Sequence, residues 1–542
     1  MAVVCLGASA GGLAACRLFF DKMPSDSGMA FVVVQHLDPV HKSEMASLLG
    51  RCTRMPVVEA SKGLAVEPNH VYVIPPNTAL AISQGRLWLS TPTEIRGRQL
   101  PINFFLRSLA EEYQHRAIGI VLSGTGGDGT LGLAAVKAAG GMTLAQNPQT
   151  AEHDGMPRSA IASGCVDHVL SVEQMPPVLI KYARHPYVRS PDGSSPLDKT
   201  PEAPFLAILS LLCTRAKFDF RNYKQGTLRR RMFRRMSLRH ITRLEDYLEL
   251  LQNDSNEVQA LISDSLISVT HFFRDPEAWK VLQAEAIRQL VAQKTGDEPI
   301  RAWVAGRATG EEAYSVAMVL LDELSAAGKE CGVQVFASDV NRETIATARF
   351  GVYAESLAAD VAPQRQRRYF VREGDHFRVR AELRDAVVFA EHNLLVNPPF
   401  PKVDLITCRN LLIYLDSDAQ KKILTLFHYS LRPGGCLFLG SAETMGEQPD
   451  LFRSVSRKWR IYRRIGPSRW EQLSIPCGAT QELVSVAAGV TPSPSRPRVT
   501  EVAQQLILDR YAPACVVINH KHEILYTCGP TQNYLTQPAG AM

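Results

Sequence analysis

Three residue types that an activated hydroxyl nucleophile needs stand in the first quarter of the sequence, each just behind a run of apolar, β-branched residues. Ser9 lies in Gly7-Ala8-Ser9-Ala10-Gly11-Gly12 after Val3 to Leu6, and His36 follows Phe31 to Gln35. Asp128 sits in Ser123-Gly124-Thr125-Gly126-Gly127-Asp128-Gly129 after Ile118 to Leu122. A hydroxyl nucleophile requires an imidazole to take its proton and a carboxylate to hold that imidazole in one tautomer. Glycines around Ser9 permit a sharp turn that exposes Oγ. Backbone N–H groups near Ala10 and in the Gly124 to Gly127 turn are candidates for an oxyanion hole. Singly, each residue has a plainer reading, since a strand-end His is commonly just hydrogen-bonded and an Asp in a glycine turn is common turn chemistry. All three at strand ends favour a triad.

A second constellation lies at residues 301–318. Arg301 to Ala305 predict a buried strand, Gly306 to Gly310 a glycine turn, and Glu311 onward a helix; the next strand, Val335 to Ser338, ends in Asp339. A strand, a glycine turn and a helix N-terminus make a cofactor pocket, and an acidic residue ending the second strand is placed to hold a ribose hydroxyl pair. The spacing suits a nucleoside cofactor.

The elements that must position these residues follow from pattern. Strand-like runs alternate with helical ones through residues 1 to about 182, which predicts a doubly wound, mostly parallel α/β sheet with functional groups at the carboxyl ends of its strands. Residues 183–204 carry Pro186, Pro191, Pro196, Pro201 and Pro204 amid Ser, Asp and Gly and are expected to be a linker. From Phe205 the pattern turns helical, over Phe205 to Thr214, Gly226 to His240, Leu244 to Asn253 and Ser255 to Ser268. In the second of these helices Leu228, Met232 and Met236 recur at helix spacing, while Arg229, Arg230, Arg231, Arg234 and Arg235 cover much of the rest. Such a helix is either a solvated face or a docking face for an acidic partner, and the second is the expectation here. Nucleic acid is disfavoured, because neither aromatic interleaving nor a nucleic-acid motif accompanies the charge.

Composition sets outer bounds. A chain of 542 residues divides into roughly three or four domains. Eleven cysteines, odd in number and without a CxxC pair or a His/Cys cluster, predict reduced core residues of a cytoplasmic protein and no metal site. Leu13-Ala14-Ala15-Cys16 imitates a lipoprotein cleavage site, but no Lys or Arg precedes it. No window approaches the ~20 apolar residues of a membrane helix.

Residues 1 to about 182 resemble the catalytic domain of the chemotaxis protein-glutamate methylesterase, CheB, through GASAGG, QHLDPVHKSEMASLL, NHVYVIPPN, LSGTGGDG and Asp154-Gly155-Met156-Pro157. The resemblance implies Ser9 as nucleophile, His36 as base and Asp128 as orienting acid, acting on a receptor glutamyl methyl ester. The family commonly carries a phosphoacceptor receiver domain in front, whereas this sequence opens at the first catalytic strand.

Residues of about 205–465 resemble the chemotaxis receptor glutamate methyltransferase, CheR. The resemblance rests on Ser268-Val269-Thr270-His271-Phe272-Phe273-Arg274, the glycine turn, Asp339, Phe389 to Leu394, Val403 to Tyr414 and Leu431 to Leu439. It implies a helical subdomain (205–280), then a Rossmann-like domain (281–465) that uses S-adenosylmethionine to esterify receptor glutamates. Ser268, Thr270, Arg274, Glu312, Asp339, Asn393, Leu394, Arg409 and Asn410 would line the cofactor site, with Arg274 and Tyr414 aligning the acceptor carboxylate and the methyl. Implied partners are chemoreceptor cytoplasmic domains, with two-component signalling proteins as further candidates. Two departures, Ser268 where Asn is usual and Arg307-Ala308 where small residues are usual, keep open a receptor-binding scaffold with one or both sites silent.

Residues 466–499 are expected to be a second linker. Residues 500–542, with a helix over Glu501 to Tyr511 and strands over Ala514 to Ile518 and Glu523 to Tyr526, resemble the opening of a PAS sensor module.

Overall fold

The computed structural model describes residues 1–467 except 37–43, 91–99, 191–201, 217, 267–269, 295–297, 307–308, 355–359, 375 and 446–449, together with the strands 515–518 and 524–528. Residues 1–475 form one compact unit and 476–542 another. In the second, Cys515–Ile518 and Ile524–Cys528 pair antiparallel. The helix expected over Glu501 to Tyr511 and most of the 466–499 linker lie outside the described residues.

The first unit holds two seven-stranded sheets. The N-terminal one uses β1 (Val3–Ala8), β2 (Ala30–Gln35), β3 (Val57–Glu59), β4 (Val71–Val73), β5 (Ala117–Val121), β6 (Met142–Gln146) and β7 (His168–Leu170), in the order β7-β6-β5-β1-β2-β4-β3. Every neighbouring pair is parallel. β1 is buried along its whole length, as expected of a strand covered on both faces. Among the covering helices are α1 (Gly12–Lys22), α2 (Pro101–Tyr113) and α3 (Thr130–Ala138). Strand order reverses between β1 and β5. Register then sets the chemistry: Ala8 lies opposite Gln35, so Ser9 and His36 leave the sheet side by side.

Next come four helices, α4 (Glu202–Ala216), α5 (Gln225–Leu238), α6 (Leu244–Asn253) and α7 (Ser255–Ser265). The second sheet uses β8 (Ile300–Ala305), β9 (Val333–Asp339), β10 (Val387–Glu391), β11 (Val403–Cys408), β12 (Leu431–Leu439), β13 (Phe452–Ser456) and β14 (Ile461–Arg464), in the order β10-β9-β8-β11-β12-β14-β13. Its first five members run parallel, and β14 joins antiparallel to both β12 and β13. Helix α8 (Glu311–Ala326) follows β8. A small antiparallel sheet of Val352–Ala354, Phe370–Glu373 and His376–Val379 lies between β9 and β10 in the chain. The expected fold class is the observed one: a parallel α/β sheet, a helical subdomain and a Rossmann-like domain. No helix among the described residues is long and apolar enough to cross a membrane.

Two expectations need correction. The linker does not begin at residue 183. A helix runs over Met175–Arg184 and another over Pro186–Arg189, and Tyr187 is fully buried, its hydroxyl donating to the Gly140 carbonyl at 3.0 Å. Proline density misleads here because Pro186 opens a helix, where its missing N–H costs nothing. The arginine-rich helix is not a free face either, since Arg231 and Arg234 are buried.

Replacing Tyr187 with Ala is expected to cost about 3–5 kcal/mol in urea unfolding. A residue in a solvated linker would change stability by less than ~0.5 kcal/mol.

Candidate functional sites

The first site forms at the carboxyl ends of β1, β2 and β5. With its proton on Nε2, His36 donates to Asp128 Oδ2 at 2.9 Å, while its Nδ1 accepts from Ser9 Oγ at 3.2 Å. Asp128 is buried and does a second job. Its carboxylate accepts N–H bonds from Ile102 and Asn103 at 3.0 Å, in the first turn of α2, and from Gly129 at 2.8 Å. The group that orients the imidazole thus caps a helix contributed by a distant segment, which fixes both of its oxygens.

The nucleophile turn is pinned as well. Ser123 Oγ donates to the Ala10 carbonyl and accepts from the His153 N–H, each at 2.9 Å, and Gln35 Nε2 donates to the Ser9 carbonyl at 3.3 Å. Gly11 has φ +73, and a Cβ there would come within 2.7 Å of Ser123 Oγ, so only glycine fits. Gly124 is no oxyanion donor, because its N–H is committed to the His153 carbonyl at 2.9 Å. The N–H groups of Ala10 and Gly11 donate to no described protein acceptor and stand beside Ser9.

The second site is a cleft at the point where strand order reverses between β8 and β11, the position at which open α/β sheets bind ligands. Its empty space, mouth included, is about 700 Å³. Asp339 at the end of β9, Asn393 and Leu394 after β10, and Asn410 and Tyr414 after β11 line it together with Gly306. The helical subdomain closes it with Phe218, Tyr223 and Leu266. Burial, then the nearby Asp339 and Tyr414, push the Tyr223 phenol up, keeping it neutral and a donor. Gly306 has φ +75 and would place a Cβ 2.2 Å from Leu411.

Other predicted lining residues lie elsewhere. Glu312 is buried and accepts from Thr407 Oγ1 at 2.7 Å. Arg409 is buried, pairs with Asp275 at 2.6 Å, and stacks over the Phe438 ring at 4.7 Å from its centroid. Thr270 is buried and Arg274 half-buried on the loop before Pro276, between Phe273 (φ 50) and Asp275 (φ 59). On the cleft wall itself Asn410 is also left-handed (φ 57), backbone strain of the kind that functional sites retain. None of Thr270, Arg274, Glu312 and Arg409 lines the cleft itself. Ser268 and Arg307 lie outside the described residues.

Sequence reasoning missed Glu443. Its buried carboxylate accepts the N–H groups of Leu411 and Leu412 at 2.8 Å and of Gly440 at 2.5 Å, so it shapes the loop carrying Asn410 and Tyr414. Burial raises its pKa, and the backbone donors offset that only in part. The cleft fits a polar nucleoside ligand: Asn410 Oδ1 on its wall is a buried polar atom without a protein partner among the described residues.

Fold and sites together define a two-site α/β protein, a hydrolase-type triad followed by a nucleoside-binding methyltransferase domain. Family models match at residues 4–179 (CheB methylesterase), 203–264 (CheR methyltransferase, all-alpha domain) and 268–461 (CheR methyltransferase, SAM binding domain). The chemotaxis protein methyltransferase of Escherichia coli K12 is 37% identical over 253 residues, covering 45% of this chain and 84% of the relative. The chain belongs to the CheR chemotaxis methyltransferase family, with a CheB methylesterase domain in front. An uncharacterized 104.1 kDa protein of Rhodobacter capsulatus is 39% identical over 527 residues, covering 92% of this chain, which spans only 54% of that relative's length. The crystal structure of the Thermotoga maritima CheB methylesterase catalytic domain is similar at 31% identity, covering 33% of this chain and 97% of that one, with a TM-score of 0.31. S-adenosylmethionine is the cofactor of the matched domain.

Glu443→Gln is expected to cost about 1–3 kcal/mol, because one of three backbone donors loses its acceptor, and to weaken S-adenosylhomocysteine binding in calorimetry. The pH dependence has a definite sign. A raised carboxyl pKa means that the folded state keeps a proton the unfolded state sheds above pH ~4.3, so this group's contribution to stability falls as pH rises. The stability gap between wild type and Glu443→Gln should therefore narrow from pH 4 to pH 7 in urea titrations; a widening gap contradicts the assignment.

Proposed function

We propose that this chain both forms and removes methyl esters on glutamates of chemoreceptor cytoplasmic domains. The observation that carries the reading is the presence, in one compact unit, of an aligned Ser9, His36 and Asp128 and of a nucleoside cleft at the second sheet's reversal point.

In the hydrolase half, Ser9 Oγ attacks the ester carbonyl as His36 Nδ1 takes its proton. The oxyanion forms against the N–H groups of Ala10 and Gly11, and His36 returns the proton to methanol as it leaves. A water then releases the glutamate by the same base. Asp128 holds the imidazole in place throughout.

In the transferase half, bound S-adenosylmethionine supplies an electrophilic methyl group. The acceptor carboxylate is already ionised near neutral pH, with a reference pKa of ~4.3, so no general base is required. The chain's work is alignment, which can supply ~7–11 kcal/mol of the barrier. Asp339 would hold the ribose hydroxyls, Asn393 and Leu394 would contact the adenine side, and Tyr414 would stand near the transferring methyl. Arg274 steers the acceptor carboxylate, while Thr270, Glu312 and Arg409 support the wall from behind. The free cysteines among the described residues fit a reducing, cytoplasmic setting. The antiparallel pair Cys515–Ile518 and Ile524–Cys528 fits the start of a PAS-like sensory module, and two-component signalling proteins are the natural source of its input.

Ser9→Ala is expected to lower methanol release from a methylated receptor fragment by about 10⁴–10⁶-fold while leaving methyl transfer intact; unchanged release rejects the triad. Asp339→Ala should weaken S-adenosylhomocysteine roughly 10- to 100-fold in calorimetry, the worth of a hydrogen bond to a charged group. Unaltered affinity removes Asp339 from the ribose site.

A further inference from the structure

The arginine-rich helix α5 buries two of its arginines, Arg231 and Arg234. Arg234, with no exposed surface, donates from Nη2 to Asp167 Oδ2 at 2.5 Å and from Nη1 to Asp264, and from Nε to the Gly141 carbonyl at 3.0 Å. Asp167 and Gly141 belong to the hydrolase half; Asp264 belongs to α7 of the helical subdomain. Lys137, on α3 of the hydrolase half, closes the figure at 3.6 Å from both Asp167 and Asp264. Two cations and two anions thus alternate around a buried square, one of each sign from either half. Burial pushes the Asp167 carboxyl up, but Arg234, Lys137 and the Thr143 hydrogen bonds outweigh it and hold the group ionised.

Around the square the contact is equally specific. Arg231, also buried, donates to the carbonyls of Lys137 at 3.2 Å and Ala138 at 2.8 Å, the open C-terminal end of α3. A cation there complements the helix dipole and satisfies carbonyls that have no partner within the helix. His185 Nε2 bonds the Ile241 carbonyl at 2.8 Å. The apolar core is continuous across the boundary, joining Met142 and Tyr187 to Leu228 and Met236.

We propose that the partner of helix α5 is the hydrolase half of its own chain, and that this docking makes the two catalytic halves one cooperative body. An external acidic partner is left only the periphery of the helix, since Arg229 stacks on Phe205 and Arg235 is held by Glu257. The interface also joins the two sites through short rigid elements. Helix α3 starts two residues after Asp128 and ends on Arg231. Helix α5 starts beside Lys224, whose N–H donates to the Tyr414 carbonyl at 2.8 Å on the cofactor cleft.

Buried ion pairs add little net stability but are costly to break on one side, because the survivor is left unpaired in a dry site. The test therefore uses two variants of the whole chain. Arg234→Met leaves Asp167 with Lys137 as its cation and Asp264 with Lys137 and the more distant Arg235, at 3.6 and 4.0 Å. Arg231→Met removes two cross-boundary hydrogen bonds and leaves no carboxylate unpaired, so it remains informative if the first variant fails to fold. Hydrogen exchange with mass spectrometry, across a urea series, reads β1 for the hydrolase half and β8 for the transferase half, independently of either activity. In wild type both strands should open at one common midpoint. In Arg231→Met, and more so in Arg234→Met, β1 should exchange roughly tenfold or more faster than β8 at the same urea concentration. Two separate midpoints in wild type, or unchanged coincidence in both variants, would overturn the proposal.

Discussion

In a parallel sheet every strand ends on the same edge, and the one place where strand order reverses leaves a crevice that adjacent helices cannot fill. Both sheets of this chain put their chemistry there. Between β1 and β5 the crevice receives Ser9, His36 and Asp128; between β8 and β11 it receives Gly306, Asp339, Asn410 and Tyr414. Register does the fine placement. Ala8 opposite Gln35 puts nucleophile and base side by side, and Ala305 opposite Ser338 brings the glycine turn level with Asp339.

Crevices of this kind need loops held to within fractions of an ångström, and buried carboxylates that gather backbone N–H groups do the holding. Asp128 ties the imidazole to the start of α2 and to Gly129. Glu443 ties the loop after β11 to the one after β12. Each is costly to bury and stays buried because its lone pairs are spent on fixed donors. The same logic, with side-chain cations as donors, operates at the boundary between the halves.

The fold class and the triad were legible because both rest on local signals: β-branched runs, glycine turns, and one reactive residue behind each strand. The cleft at the second sheet's reversal point was legible in part. Asp339, Asn393, Leu394, Asn410 and Tyr414 share it, whereas Glu312 and Arg409 are buried behind its wall, paired with Thr407 and Asp275. Spacing shows that a residue belongs to a loop but not which way its side chain turns. Glu443 escaped notice because its partners are mostly backbone groups some thirty residues away, in a stretch that reads as an ordinary loop. Helix α5 was expected to dock an acidic partner, but its sequence does not show where the acids come from: Asp167 and Asp264, which pair with Arg234, arrive from distant segments of the same chain.

A methylesterase domain and a methyltransferase domain lie in one compact unit; on the function proposed above, their opposed reactions would set the methylation level of a receptor rather than drive it one way. The most direct measurement is a pulse and chase with intact chain, a chemoreceptor cytoplasmic fragment and S-adenosylmethionine labelled in its methyl group. The account predicts base-labile label on receptor glutamates during the pulse, and its release as methanol once unlabelled cofactor is added in excess. Absence of incorporation at any cofactor concentration, or label that remains on the receptor through the chase, would contradict it.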